Sequence, residues 1–206
     1  MTTTTLNPTA DTYLSNSAAT TNYGSATTVQ HGAYAGGIIR HSLVKFDLSS
    51  ITSSDICNSA TLSVWLALDL ANSDCTFSIH RLLRNWVENQ ATWQIYSTGN
   101  NWGTAGGTNS SDIDTTAMGV SGTVSSTSAL GTEIQIIINT TEMKKMYDGT
   151  NTNYGWLIKS TSETESDIWG VYSREYATST VRPKLVVETS APISSGVPRF
   201  RSYIIS

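Results

Sequence analysis

Thr61-Leu62-Ser63-Val64-Trp65-Leu66-Ala67-Leu68-Asp69 alternates apolar with mostly polar or small residues, and Thr76-Phe77-Ser78-Ile79-His80 follows after a turn through Ala71 to Asp74. Successive side chains of a strand point to opposite faces. Leu62, Val64, Leu66 and Leu68 therefore share one face, and Ser63, Trp65, Ala67 and Asp69 the other. The spacing predicts a hairpin with one buried face, and a turn centred between Asn72 and Ser73 sets Trp65 opposite His80.

The same alternation predicts strands at Thr12 to Leu14, Thr28 to Gln30, Ile38 to Leu48, Glu133 to Ile138, Gly155 to Lys159, Ile168 to Ser173 and Lys184 to Glu188. Only Thr140 to Gly149 reads as a helix, with Asn139 or Thr140 as its cap, Met143, Met146 and Tyr147 on one side, and Gly149 as its stop. Asn100 to Ser128 is rich in Gly, Ser and Thr and reads as a long surface excursion with at most an edge strand. The fold expected is all-β: an antiparallel β-sandwich with jelly-roll connectivity and one short helix near 140–148. Residues 1–190 form its single domain. Residues 191–206 remain as a C-terminal tail in which Phe200, Tyr203, Ile204 and Ile205 are apolar, so this tail either docks on a partner or packs back on the body.

Composition excludes several classes. With 12 Lys+Arg against 16 Asp+Glu, the 206-residue chain has a net charge of −4 and no basic field for nucleic acid or an anionic membrane. Thr and Ser together supply 60 residues, yet six Trp and nine Tyr are too many for a disordered chain. No apolar run is long enough for a spanning helix, and the N-terminal residues do not read as a secretion signal. Cys57 and Cys75 read as two buried free thiols, with a disulfide left open.

Signals for chemistry are sparse. His31, His41 and His80 lie in strand-like surroundings, without a nucleophile elbow, phosphate loop, dinucleotide fingerprint or zinc spacing. Carboxylates such as Asp11, Asp47, Glu88, Asp112, Glu133 and Glu175 are scattered without a pairing signal. No cofactor is expected. Ca2+ is the one metal this composition would accept, and Asp112-Ile113-Asp114 carries only part of a Ca2+ loop pattern. Thr21-Asn22-Tyr23-Gly24 and Thr152-Asn153-Tyr154-Gly155 repeat a tetrapeptide that reads first as a turn device.

Two constellations stand out. If Val44 and Phe46 point inward, an outer face carries His41, Lys45, Trp65 and His80. Such a face is a sugar platform or, equally, an interface covered by the 100–128 loop or a neighbouring subunit. Arg40 alternates with Ser42, Val44 and Phe46, which turns it inward and calls for a carboxylate partner, Glu175 first and Asp47 second.

Several motifs carry a family resemblance in order. They are Asp11-Thr12-Tyr13-Leu14, Asn22-Tyr23-Gly24, Arg40 with Val44-Lys45-Phe46-Asp47-Leu48-Ser49, and Ser59-Ala60-Thr61-Leu62. Trp86-Val87-Glu88-Asn89-Gln90-Ala91-Thr92-Trp93, Asn153-Tyr154-Gly155, Ser173-Arg174-Glu175 and Arg182-Pro183-Lys184-Leu185-Val186-Val187 continue them. Over about residues 9 to 190 the chain resembles the DNRLRE domain, a jelly-roll module that includes the family-96 carbohydrate-binding modules. The resemblance implies a non-catalytic module, some relatives of which bind acidic polysaccharides. The stretch from Ala91 to Gly107 with Asp112-Ile113-Asp114 is similar to copies among tailed-phage structural proteins.

That similarity implies a non-enzymatic structural or decoration protein on a virion surface, extracellular after release, with glycan contact as an added role. Its partners would be other virion proteins or copies of itself, and a cell-surface or acidic polysaccharide, with no nucleic acid and no membrane insertion. The alternative is a free-standing carbohydrate-binding module for an acidic polysaccharide.

Overall fold

β-Branched and aromatic side chains pack well on a pleated surface, and Thr, Val, Ile, Trp and Tyr fill the runs between this chain's turn clusters. The computed structural model describes residues 1–34, 36–71, 73–163 and 167–193 and is all-β apart from short helical segments. The first strands are β1 (Thr2–Leu6), β2 (Pro8–Ser15), β3 (Thr28–Tyr34), β4 (Ile38–Phe46), β5 (Ile56–Ala71) and β6 (Phe77–Arg81). They are followed by β7 (Ile95–Ser97), β8 (Asn100–Asn101), β9 (Gly119–Ser121), β10 (Glu133–Ile138), α1 (Thr140–Tyr147), β11 (Trp156–Ser160), β12 (Asp167–Tyr172) and β13 (Lys184–Ser190). Every strand expected from alternation is present. β1, β7, β8 and β9 are additional.

Strand pairing is antiparallel throughout. β5 carries β13 along its first half and β12 along its second, with β10 on the opposite edge. From β10 the ladder continues through β9, β6, β11, β4 and β3 to β12, which returns to β5. The sheet thus closes into a barrel-like ring, with β1 added to β13 and β2 to β4. Closure removes the exposed edges that an open sheet would have to protect. The all-β antiparallel expectation is met, but the hydrogen bonding runs as one ring where two facing sheets were expected.

The predicted hairpin does not form. Both of its segments are strands, but β5 bonds to β10, β12 and β13, whereas β6 bonds to β9 and β11. A short connection permits a hairpin without enforcing one, and here it delivers the chain to another part of the ring. Trp65 consequently lies opposite Glu133 and not opposite His80.

Inside the ring, Leu62, Leu66, Phe77, Ile136, Trp169 and Val187 are fully buried in one apolar cluster. At about 25 cal/mol per Å2 of apolar surface, such side chains each contribute roughly 1.5–3 kcal/mol. α1 adds Met143 and Met146 to the same core. Asn139 caps the helix by accepting from the Thr141 and Glu142 amides at 3.0 and 3.1 Å, which settles the two expected caps in its favour. Cys57 and Cys75 are both buried and free.

The Asn100 to Ser128 excursion is not a surface loop: its first part belongs to a second layer, and from Met118 onward it joins the ring, with β9 paired to β6 and β10. Residues 82–118 lie over the outer side of β2, β4 and β11, where Leu14, Leu43 and Leu157 meet Leu82, Trp86, Trp102 and Ile113 in a separate buried cluster. The Asn100 to Ser128 stretch lacks periodicity because Trp102, Ile113, Met118 and Val124 reach the two cores from turns and short bridges. Asp112, fully buried, ties this layer together: it accepts from the Gly103 and Thr104 amides at 2.9 and 3.1 Å and from Arg84 Nε at 3.2 Å.

β13 ends at Ser190, and Phe200, Tyr203, Ile204 and Ile205 of the expected docking tail lie outside the described residues. Among the described residues no helix is long and apolar enough to cross a membrane.

Candidate functional site

The repeated tetrapeptide shows how local chemistry fixes the ends of the ring. Asn22 Oδ1 accepts from the Gly24 amide and Asn153 Oδ1 from the Gly155 amide, each at 3.1 Å. Each Asn amide then donates outward, Asn22 to the Glu88 and Ala91 carbonyls and Asn153 to the Phe46 carbonyl, at 2.7–2.8 Å. Gly155 has φ +85°, and a Cβ there would lie 2.3 Å from the Val44 carbonyl oxygen. These are turn devices, and Tyr23 stacks on Tyr13 at 4.0 Å.

The four residues of the expected sugar face do not come together. His41, Lys45 and His80 lie on β4 and β6, joined through β11, whereas Trp65 lies on β5. His41 is buried beneath the second layer, with Nδ1 2.7 Å from the Gly106 carbonyl and Nε2 2.8 Å from Glu163. Burial alone would raise the Glu163 carboxyl, but the His41 hydrogen bond and the Lys159 charge bring it below its usual range. His80 is buried too, between the Asp114 carbonyl at 3.0 Å and Ser78 Oγ at 3.2 Å, and desolvation lowers its pKa. The error lay in the assumed hairpin, which alone had put Trp65 beside His80.

Arg40 is also placed differently. It reaches Gln30 Oε1 and lies 5.8 Å from the Tyr13 ring centre. Glu175 instead pairs with Arg174 at 3.1 Å, and Arg174 holds both oxygens of Glu88 at 2.9–3.0 Å. The neighbouring Arg174, passed over in the sequence, took the role assigned to Arg40. Asp112 and Asp114 do not converge on a common point either: Asp112 is consumed by the second layer, and Asp114 lies 3.5 Å from Arg81.

The surface left open is the outer face of β1, β13, β5, β10 and β9. Register sets Thr5, Val186, Thr61, Ile137 and Val120 in one row across it. The next rows hold Lys184, Ser63 and Gln135, then Trp65 and Glu133. Ile137 is 61% and Val120 47% exposed, Glu133 and Gln135 are exposed too, and of these rows only Ser63 is buried. Trp65 is half-buried, with the Lys184 ammonium 5.4 Å from its ring centre, within cation–π range. Beside it runs a groove of about 460 Å3 lined by Thr123, Ser128, Thr132, Glu133, Gln135 and Ile137 among others. An aromatic ring flanked by hydroxyl, amide and carboxylate groups matches the two-sided chemistry of a sugar, whose ring faces are apolar and whose edge is hydroxylated.

A second cleft, of about 420 Å3, lies between β6 and α1 and is lined by Arg81, Asp114, Asn139, Glu142, Lys145 and Asn151 among others. Its charges are spent on one another, Arg81 with Asp114 and Lys145 with Glu142 at 2.7 Å. Neither cleft has an aromatic residue in its lining, and the first differs in that Trp65 lies opposite its Glu133.

Alternation in Glu133 to Ile138 does place Glu133, Gln135 and Ile137 outward, but only the β10–β5 register sets Glu133 opposite Trp65, with Gln135 and Ile137 in the rows beyond. A search of the curated proteins finds no match. The sequence matches carbohydrate-binding module family 96 over residues 2–147, from β1 to the end of α1. The match speaks to carbohydrate and is silent on virion assembly. Covering well over half of the chain, it shows that the protein belongs to carbohydrate-binding module family 96.

Proposed function

We propose that the chain is a non-catalytic module that holds a polysaccharide across the open face of β13, β5 and β10, with Trp65 as the stacking platform. The observation that carries this reading is the placement of Trp65, half-buried between Lys184 and Glu133, with Glu133 also lining the neighbouring groove of mixed apolar and hydroxyl character. Glu133, Gln135, Ser128 and Thr132 are the groups available to sugar hydroxyls.

An acidic polysaccharide was the expectation, but local charge favours an uncharged or sparsely charged chain. Lys184 is the only cation in the rows described, against Glu133 and Glu188, and the whole protein carries −4. A polyanion would meet net repulsion here.

Affinity electrophoresis in gels containing neutral glucans, xylans or mannans, beside gels containing polyuronates, tests the proposal. Retardation by a neutral polysaccharide, little changed by salt, is expected. Retardation by polyuronate alone, weakening as salt rises, would restore the acidic reading, and no retardation in any gel would overturn the site.

A further inference from the structure

Three carboxylates from distant parts of the chain meet at one end of the ring: Asp11 from β2, Glu88 from the second layer and Glu175 from the turn after β12. One oxygen from each lies within 4.8 Å of the others. Among the described residues Arg174 is the only cation paired with them, and it neutralises one charge of three.

Most oxygens of the cluster are accounted for. Glu88 Oε1 accepts from the Asp11 amide at 2.7 Å, and both Glu88 oxygens accept from Arg174. Glu175 Oε1 faces Arg174, and Asp11 Oδ2 accepts from the Arg174 amide at 2.7 Å. Two oxygens are left, Asp11 Oδ1 and Glu175 Oε2, both buried and neither with a donor. Asp11 is only 1% exposed. A buried anionic oxygen without a donor or cation is costly, by several kcal/mol in real proteins. Two in one cluster call for a positive species between them, a cation or a proton: burial, with the Glu175 and Glu88 charges beside it, pushes the Asp11 carboxyl up to about 8.

We propose that Asp11, Glu175 and Glu88 form a binding site for a hard divalent cation, Ca2+ in preference to a transition metal, with Asp11 Oδ1 and Glu175 Oε2 as its first ligands. All the donors are oxygen, which suits Ca2+ and Mg2+ and not the softer metals. Ca2+ binds oxygens at 2.3–2.6 Å in flexible geometry, so ligand atoms up to 4.8 Å apart fit on either side of one ion. Two positive charges added to Arg174 would balance the three carboxylates. The ion would join β2, the second layer and the β12 turn, and so act on stability at a distance from the Trp65 face. The site stands independently of the polysaccharide reading.

The test is thermal unfolding of the full chain, stripped with chelator and then titrated with CaCl2, with MgCl2 in parallel, alongside calorimetric titration of Ca2+. At a hundredfold excess over Kd, the melting temperature should rise by about 5–10 °C for a chain of this size. Asp11→Asn and Glu175→Gln should each abolish the shift. If Asp11→Asn does not fold, Glu175→Gln and Glu88→Gln carry the test. No shift and no binding heat with either ion would overturn the proposal and leave a proton shared by Asp11 and Glu175 as the positive species. A shift that survives in all the folded variants would place the ion elsewhere and overturn it equally.

Discussion

The two outer faces of the ring are built from the same strand geometry and end in opposite states. On β2, β4 and β11 the outward positions hold Leu14, Leu43 and Leu157, and the chain lays the 82–118 layer over them. On β1, β13, β5 and β10 the outward positions hold Thr5, Thr61, Ser63, Gln135, Glu133 and Lys184, and all of these but Ser63 remain at least partly exposed. The first face is spent on folding. The second, polar except for Trp65 and a few aliphatic residues, can exchange its water for a hydroxylated ligand.

The largest expected effect lies on the covered face. Trp102 is 5% exposed, packs on Tyr96 and donates to the Thr92 carbonyl at 2.9 Å. Trp102→Ala should cost about 3–5 kcal/mol, read as a denaturant midpoint. Loss of less than about 1 kcal/mol would mean the second layer is an ornament and the contrast between the faces is false.

The ring interior supplies the next effect. His31 is fully buried against the edge of Phe77, with Nδ1 3.1 Å from Ser42 Oγ, and desolvation, aided by His41, pushes its pKa down to about 3. In the unfolded chain it titrates near 6.5. Between these values the unfolded state binds a proton that the folded state refuses, so stability is full above about pH 6.5 and falls as pH drops. This group should contribute a slope of up to about 1.4 kcal/mol per pH unit. His31→Gln should flatten the pH 6 to 4 limb of the stability curve, and an unchanged limb would show that His31 is not its source.

A matched pair of isosteric changes then compares the faces directly. Asp112→Asn sets an amide against one of the two backbone donors that its carboxylate accepts, at a cost of about 1–3 kcal/mol. Glu133→Gln, on the exposed face, should stay within about 0.5 kcal/mol. Equal costs in chemical denaturation would erase the distinction.

Much of this contrast was legible in the sequence, and its pairing was not. Alternation gave the strands, the inward Leu62, Val64 and Leu66, and the outward Trp65, because side-chain direction is local. The helix and its Asn139 cap were legible for the same reason. Which strand lies beside which depends on chain crossings, so the assumed hairpin misplaced His80 and with it the whole expected sugar face. The adjacent apolar residues Leu43-Val44 and Trp156-Leu157-Ile158 did signal strands buried on both sides, and hence a cover. That cover was not recognised, since its own apolar residues hang from irregular turns. Asp11, Glu88 and Glu175 were visible as residues, but 77 and 163 positions separate Asp11 from the partners of its amide and carboxylate, Glu88 and Arg174. Only the closed ring brings them together.

The central claim is that the open face binds polysaccharide through Trp65. Its most direct test measures the wild-type chain and Trp65→Ala side by side, by affinity electrophoresis on the polysaccharide that retards the wild type and by thermal unfolding. The account predicts that retardation is lost while the melting temperature moves by no more than about 3 °C, since the ring is only half-buried and adds little to the core. Undiminished retardation of a folded Trp65→Ala would contradict it.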